Sequence, residues 1–413
     1  MSLAGVVLLA LGHGLAFMDR HVLTVAAPLV KGEMLLSDAD LGLLLGPAFV
    51  VLYTAGLLLS RRLSLRPMRG AWLAACTGLW TFGMAVMALA PNFAVLLMGR
   101  ALVGLGQAAF IPLALGLIVE GTREAVRARS VAVFTSGSVM GRCLGLIVGG
   151  AVLAGLAAWA PESWTPWRWL LLLGCFPNLI LALTLMRADR SFPLPLTQAP
   201  PGLGPALVWM RRRFAVVGFY LIGTACGVLV IQTVGAWAPT LLHRQHGLSA
   251  GSAGMIFGLF LVVAAPVGHF TAGFLLDRPG RQIAPPEIGA LSLAATIGLL
   301  WLLPSAEGAM SSLILLALIS TLGAVAAVAA LAGLPAMAPE GMKADAVRMC
   351  LVVTTLVGVG VGPWLAGLVS DLSGDLGQSL KWVGSAAAGL GVVASLLCIR
   401  GWRRLANEDG AAR

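Results

Sequence analysis

The chain has 413 residues, of which 59% are hydrophobic and 11% charged, with a mean hydropathy of +0.94. An ordinary soluble domain carries roughly 25% charged residues, so this composition excludes a water-soluble enzyme or binding module. A formal net charge of +10 would suit nucleic acid only if the basic residues shared one surface, and their placement along the chain excludes that.

A spanning helix needs about 20 mostly apolar residues. Apolar runs predict twelve, over 5–30, 38–60, 70–90, 93–119, 130–159, 167–186, 214–241, 250–276, 286–304, 309–337, 346–370 and 379–401. The fold class expected is an all-α membrane protein. The first helix has neither the basic start nor the small-residue cleavage site of a secretory signal, so it is expected to be retained. Asp19 and Arg20 lie about halfway along it, and His13 shares a face with Arg20, seven residues away. In helix four, Arg100 stands one to two turns in and Gln107 follows on the same face. Arg142 lies near the middle of helix five, beside Gly137, Gly141, Gly145 and Gly149, a smooth stripe suited to close helix contact. Pro47, Pro112, Pro239, Pro266 and Pro363 lie within spans and are expected to kink them.

Of the 27 Lys and Arg, 20 fall in alternate loops and the carboxy-terminal tail, and only Lys31, Arg168, Arg244 and Lys381 occupy the other loop set. That is the positive-inside pattern, which places both termini in the cytoplasm of a cell (inner) membrane protein. The longest loop is rich in proline and ends in Arg211-Arg212-Arg213, as a cytoplasmic linker would. It divides a first six-helix bundle, 1–187, from a second, 214–402, with the linker at 188–213 and a tail at 403–413.

The two halves echo each other. A shift of 212 residues aligns Ser37, Gly42, Gly46, Arg66, Pro67 and Arg69 with Ser249, Gly254, Gly258, Arg278, Pro279 and Arg281. Glu120-Gly-Thr-Arg-Glu-Ala-Val-Arg127 is echoed by 340–348. Weak internal symmetry in an all-helical membrane chain points to a transporter with its site near the bilayer midplane.

Charge inside the spans is costly, roughly 2.5–3.5 kcal/mol per residue on insertion scales, so each such residue marks a site. Arg20, Arg100 and Arg142 against Asp19 leave a formal excess of two positive charges in the first half. Burying that excess is unfavourable, so an anionic group of the substrate is expected to complete the balance. The guanidinium fork suits a carboxylate or phosphate. For Arg142 the alternatives are contact with helix carbonyls or snorkelling. Asp19 has the chemistry of a proton carrier: pairing with Arg100 would hold it ionised, and opening the pair in an apolar setting would favour proton uptake. The alternative is a permanent Asp–Arg strut. Adjacent helical residues point about 100° apart, so Asp19 and Arg20 face different neighbours, one towards helix four and the other towards a cavity.

The spans of the second half contain no Lys, Arg, Asp or Glu well inside. Their polar candidates are Tyr220, Gln232, Thr233, His269, Thr354 and Thr355, and Gln232 and Trp237 are candidate substrate contacts. Charge on one wall and apolar surface on the other suits an amphipathic molecule; the alternatives are a symporter of small organic acids, a drug exporter and, from another class, a non-transporting membrane receptor.

Gly273-Phe-Leu-Leu-Asp277-Arg278-Pro-Gly280-Arg281 resembles the loop signature of the major facilitator superfamily, and Gly99-Arg100-Ala-Leu-Val-Gly104-Leu-Gly106 resembles its fourth-helix motif. Within the superfamily the chain is most similar to spinster-like proton-coupled lipid transporters. The likeness is carried by Phe17-Met-Asp19-Arg20, by Arg100 with Gly106-Gln107-Ala-Ala, by Trp237-Ala-Pro239 and by Gly362-Pro363-Trp-Leu-Ala-Gly367-Leu-Val-Ser-Asp371. The resemblance implies two six-helix bundles that alternate access, and proton coupling through Asp19 and Arg100. It also implies a cytoplasmic latch at Asp277, Arg278 and Arg281. In the first half Arg66 and Arg69 remain while Leu65 replaces the aspartate. Spinster-like proteins usually have Glu where this chain has Gln107, which leaves no second carboxylate there.

Six cysteines stand singly in apolar helices, as small core residues would. Metal ligation is not expected, since His243 and His246 have no further ligands near them. Gly247-Leu-Ser249-Ala-Gly251 matches a nucleophile pattern, but that pattern needs a strand-to-helix elbow, and a helix cap explains Ser249 better. No His-Glu-x-x-His, Walker or dinucleotide motif occurs, so no cofactor and no catalysis are expected. The partners expected are a small amphipathic or anionic substrate, protons and membrane lipids, with the protein a monomer.

Overall fold

The computed structural model describes residues 1–59, 68–159, 164–189, 192, 204–277, 283–339 and 342–411. Its elements are α1 (Leu3–Met34), α2 (Asp38–Leu45), α3 (Pro47–Leu59), α4 (Arg69–Ala88), α5 (Phe93–Gly121), α6 (Glu124–Trp159), α7 (Pro166–Arg187), α8 (Gly204–Arg212), α9 (Phe214–His246), α10 (Ala250–Leu276), α11 (Pro285–Leu302), α12 (Ala309–Ala336), α13 (Lys343–Val353), α14 (Gly362–Ser373) and α15 (Leu376–Ala411). Among the described residues there is no strand, and twelve helical segments are long and apolar enough to cross a membrane. The fold class expected from the sequence is therefore the observed one.

Several boundaries differ; the last helix, α15, runs to Ala411, through most of the stretch expected as a tail, rather than ending at 401. α6 starts at Glu124, a polar turn and a half before its apolar run, and α9 continues to His246 because its last two turns carry Arg and His outside the hydropathy signal. The linker contains α8, whose Trp209 and Met210 are buried; nine residues are too few to register as a span. Pro47 begins α3 after a break at Gly46, and Pro363 lies in the first turn of α14, directly after a π-helical stretch. Pro112, Pro239 and Pro266 lie inside continuous helices, where the single missing donor is tolerated.

The chain forms two compact units, Met1–Pro200 with Leu242–Leu259, and Pro201–Leu241 with Phe260–Arg413. In the first, α1 and α6 meet along the glycine stripe. A Cβ on Gly141 would lie 2.1 Å from the Gly14 carbonyl oxygen, and those on Gly137 and Gly145 would lie 2.5 and 2.6 Å from the carbonyls of Ala10 and Met18. Residues 250–258 join this unit through further glycines. Gly150 and Gly251 each face the other's carbonyl oxygen at 2.4–2.6 Å from where a Cβ would stand.

Helix ends are closed by distant side chains. α4 has no side-chain cap of its own, and the carboxylate of Asp189 accepts from the backbone N–H of Gly70 at 2.6 Å and of Ala71 at 3.3 Å, where an anion suits the helix dipole. Arg168 donates to the carbonyls of Ala88 and Ala90 at the other end of α4, at 2.7 and 2.9 Å, while holding Glu33 of α1 at 2.7 Å. The repeat shows in the caps: Ser37 accepts from Asp40 N–H at 3.0 Å and Ser249 from Ser252 N–H at 3.1 Å. Ser249 is a helix cap, as expected.

In the second unit Tyr220 of α9 donates to the Ala330 carbonyl of α12 at 2.7 Å. Between α13 and α14 the helix widens into a π-turn stretch, Thr354–Val361. Gly358 and Gly362 let it close on α9: a Cβ would meet Val228 Cγ1 at 2.5 Å and Thr233 Oγ1 at 2.2 Å. All six cysteines are free and buried.

Candidate functional site

Helix α1 aims three consecutive polar residues at three different neighbours, as a 100° step requires. Asp19 turns towards α7, where its Oδ2 accepts from Asn178 Nδ2 at 2.7 Å. Arg20 turns towards α3 and α5. It donates from Nε to Gln107 Oε1 at 2.6 Å, and its Cζ lies 4.4, 4.5 and 5.1 Å from the ring centroids of Phe17, Phe49 and Tyr53. His21 turns towards α6, with its Cβ 3.2 Å from where a Cβ on Gly145 would stand, and its Nδ1 donates to the Phe17 carbonyl at 2.7 Å.

The glycines of α5 explain how the aromatic wall comes so near. A Cβ on Gly104 would lie 2.2 Å from the Phe49 carbonyl oxygen, and one on Gly106 would lie 2.6 Å from the Trp80 amide nitrogen. Two glycines two residues apart thus admit α3 on one side of α5 and α4 on the other. The Phe49 ring then serves two cations, lying 4.5 Å from Arg20 Cζ and 5.0 Å from Arg100 Cζ. Such faces stabilise guanidinium by about 0.5–2 kcal/mol each, more when desolvated.

The pairing expected between Asp19 and Arg100 is not formed as a close ion pair. Arg100 Cζ lies over the Phe49 ring, and the carboxylate's hydrogen bond comes from Asn178. The reason is direction: Asp19 points to the α4 and α7 side of α1, and the aromatic shelf of α3 holds Arg100 on the other. Asp19, Arg100 and Gln107 are 4%, 4% and 0% exposed.

Several buried donors here have no partner within the protein: Arg20 Nη2, Arg100 Nε, Gln107 Nε2 and Arg142 Nε. Each unmet buried polar group costs about 1–3 kcal/mol. Arg142 lies on α6 one residue past the glycine that touches Gly14. His13 is a packing residue. Its Nδ1 donates to the Phe134 carbonyl at 2.9 Å, its ring stacks on Phe134 at 4.4 Å, and its edge contact with Phe17 is at 5.1 Å, so it buttresses the ring that faces Arg20.

Gln232 and Trp237 belong to the second unit. Gln232 is half-buried, and Trp237 is enclosed with its indole N–H donating to the Pro363 carbonyl at 2.9 Å. Thr233 and Thr354 donate to carbonyls of their own helices, and His269 is on the exposed side of α10. Of the latch residues, Arg69 is buried and pairs with Glu120 at 2.5 Å, and Asp277 is exposed after α10. Arg66, Arg278 and Arg281 lie outside the described residues, as does Leu65.

Sequence reasoning missed Asn178, Phe49 and Tyr53. Asn178 had a signal, as an amide in the middle of an apolar run after Pro177. Tyr53 is one of two tyrosines in the chain. Nothing in the spacing singles out Phe49 from the other phenylalanines.

A twelve-span helical chain with cations buried in one unit is a polytopic membrane carrier in form. The profile of the Major Facilitator Superfamily matches residues 9–349, and the chain belongs to that superfamily of transporters. It is 26% identical over 382 residues to an MFS-type efflux pump of Mycolicibacterium smegmatis, covering 91% of this chain and 86% of the pump. It is 26% identical over 303 residues to protein spinster homolog 1 of Rattus norvegicus, covering 68% of this chain and 56% of that protein. Its fold matches the crystal structure of a bacterial homolog of the human lysosomal transporter Spinster, with a TM-score of 0.77, 21% identity and coverage of 98% and 96% of the two chains.

Proposed function

We propose that the protein is a proton-coupled secondary transporter that moves an anionic amphipathic solute by alternating access. The observation that carries this reading is the set of buried, partnerless donors on Arg20, Arg100, Gln107 and Arg142. In this reading an anionic headgroup accepts from the guanidinium forks and from Gln107, and the rings of Phe17, Phe49 and Tyr53 border its apolar part. Asp19 is the proton carrier, held by Asn178 in the state described, and Arg100 supplies the nearby positive field. Asp277, with Arg66, Arg69, Arg278 and Arg281, forms the cytoplasmic latches. Both termini face the cytoplasm of the inner membrane, and the arginine distribution supports that topology.

The test is uptake of a fluorescent lysophospholipid into proteoliposomes under an imposed pH gradient, comparing native protein with Asp19→Asn. Loss of the gradient response with retained binding is expected. An undiminished response in Asp19→Asn would end the coupling reading, and binding of small hydrophilic anions without any single-chain amphiphile would end the amphiphile reading.

A second reading, export of drug-like compounds, is favoured by the efflux-pump relative that spans 91% of the chain. Energised extrusion of a planar aromatic dye, unaffected by lysophospholipid, would select it. Symport of a small organic acid would instead appear as inward, gradient-driven flux of a hydrophilic anion.

A further inference from the structure

The end of the second unit where α8 meets α9 and α15 carries a feature that the transport reading does not use. Trp209 and Met210 of α8 are buried in a cluster with Val217, Leu334, Ala346 and Cys398, and Trp402 packs against it. The opposite side of the short helix is open: Leu207, Val208 and the following Phe214 are 46%, 52% and 74% exposed. An amphipathic helix anchored by an aromatic on one face, with apolar residues left outward on a membrane protein, lies where headgroups meet acyl chains.

Arginines gather around those apolar residues from two parts of the sequence. Arg211 and Arg212 end α8 and are exposed, while Arg213 lies over the Trp209 ring at 5.6 Å. The first turn of α9 is pressed onto α15. Cys398 Sγ donates to the Val216 carbonyl at 3.5 Å, and a Cβ on Gly401 would lie 2.3 Å from Val216 Cγ2. That contact sets the part of α15 that carries Arg400, Arg403 and Arg404, all exposed, against the first turn of α9, which follows Arg211–Arg213 in the chain. The carboxylate that answers them among the described side chains is Glu287, paired with Arg403 at 2.5 Å. Arg211, Arg212, Arg400 and Arg404 have no described carboxylate partner.

We propose that these arginines, with Leu207, Val208 and Phe214, form a docking face for the phosphate headgroups of anionic phospholipids. Guanidinium binds phosphate through parallel charge-assisted hydrogen bonds, and the outward apolar side chains lie against the first methylenes of the same lipids. A soluble polyanion would use the arginines but has no use for three exposed apolar side chains. Assignment to the cytoplasmic leaflet, whose anionic lipids attract basic segments, rests on the topology proposed above; the lipid chemistry does not.

The experiment titrates the purified full-length protein in detergent with short-chain phosphatidylglycerol or phosphatidylcholine and reads thermal stabilisation. Phosphatidylglycerol is expected to bind more tightly, and its apparent affinity should fall about tenfold or more in Arg211→Gln/Arg212→Gln, since each basic residue near a membrane surface is worth roughly a factor of five. The control Arg127→Gln/Arg129→Gln removes two exposed arginines of the first unit and should leave the affinity within about twofold. Phe214→Ser should weaken both lipids. Equal binding of the two lipids, equal loss in the control, or displacement of phosphatidylglycerol by ATP at comparable concentration would overturn the proposal. Topology is read separately, by labelling Arg404→Cys from either side of sealed vesicles, so a wrong leaflet and a wrong ligand give different results.

Discussion

Arg20 donates its Nε hydrogen to Gln107 Oε1 across 2.6 Å, so the amide that resembles a displaced glutamate is bound to a guanidinium on another helix. A neutral partner satisfies one donor without cancelling the charge, and the buried cation remains available to an anion. Gln107→Glu should therefore raise thermal stability in detergent by neutralising Arg20, and weaken binding of an anionic amphiphile about tenfold or more, a change worth about 1.4 kcal/mol. Gln107→Leu should instead lower stability by about 1–3 kcal/mol, because Arg20 Nε is left unmet. Unchanged affinity in Gln107→Glu would show that the substrate does not meet Arg20.

Asn178 gives Asp19 its described hydrogen bond, at 2.7 Å, and also lies 3.6 Å from Met84 Sδ. Replacing it by leucine takes that donor from a buried carboxylate, at a cost of about 1–3 kcal/mol. Asn178→Leu is expected to reduce the gradient response of uptake, though less than Asp19→Asn does, because the titrating group itself remains. The ratio of uptake with and without an imposed gradient measures this directly. A full response in Asn178→Leu would separate the amide from coupling.

The twelve spans were legible because length and hydropathy are properties of each segment alone. The buried arginines were legible for the same reason: charge in an apolar run is costly wherever it points. Partners were not. The 100° step correctly separated the neighbours of Asp19 and Arg20, yet it could not say that Asp19 meets α7 through Asn178, a neutral amide with no energetic flag of its own. The cap that Asp189 places on α4 spans 119 residues and has no local pattern. α8 was hidden in a proline-rich linker because its order comes from Trp209 and Met210 docking on the second unit.

Gly104 governs how close the aromatic shelf comes to the arginines. A Cβ there would stand 2.2 Å from the Phe49 carbonyl oxygen, which is backbone and cannot swing aside. Gly104→Ala should force α3 away from α5, cost about 1–3 kcal/mol as overpacking does, and loosen Phe49 from Arg20 and Arg100. Gly78 of α4 has nothing within 4 Å of its Cβ direction, so Gly78→Ala should be neutral or stabilising by up to about 1 kcal/mol. Thermal unfolding of the two variants side by side checks the pair, and equal effects would refute the close-approach argument.

Asp38 at the start of α2 accepts from Arg244 through both oxygens, at 2.7 and 2.5 Å, and is paired with Lys31 as well. Exposed ion pairs contribute about 0–1 kcal/mol, but Asp38 is 4% exposed and the bidentate fork fixes its geometry. Removing its charge leaves two cations facing one amide, so Asp38→Asn should lower stability by about 1–3 kcal/mol. Arg244→Gln should cost less, since Lys31 still answers the carboxylate. The double variant should be less harmful than the sum of the two, with a coupling of about 0.5–3 kcal/mol as expected for residues in contact. Strict additivity in thermal or denaturant unfolding would mean that the pair contributes nothing beyond its separate members.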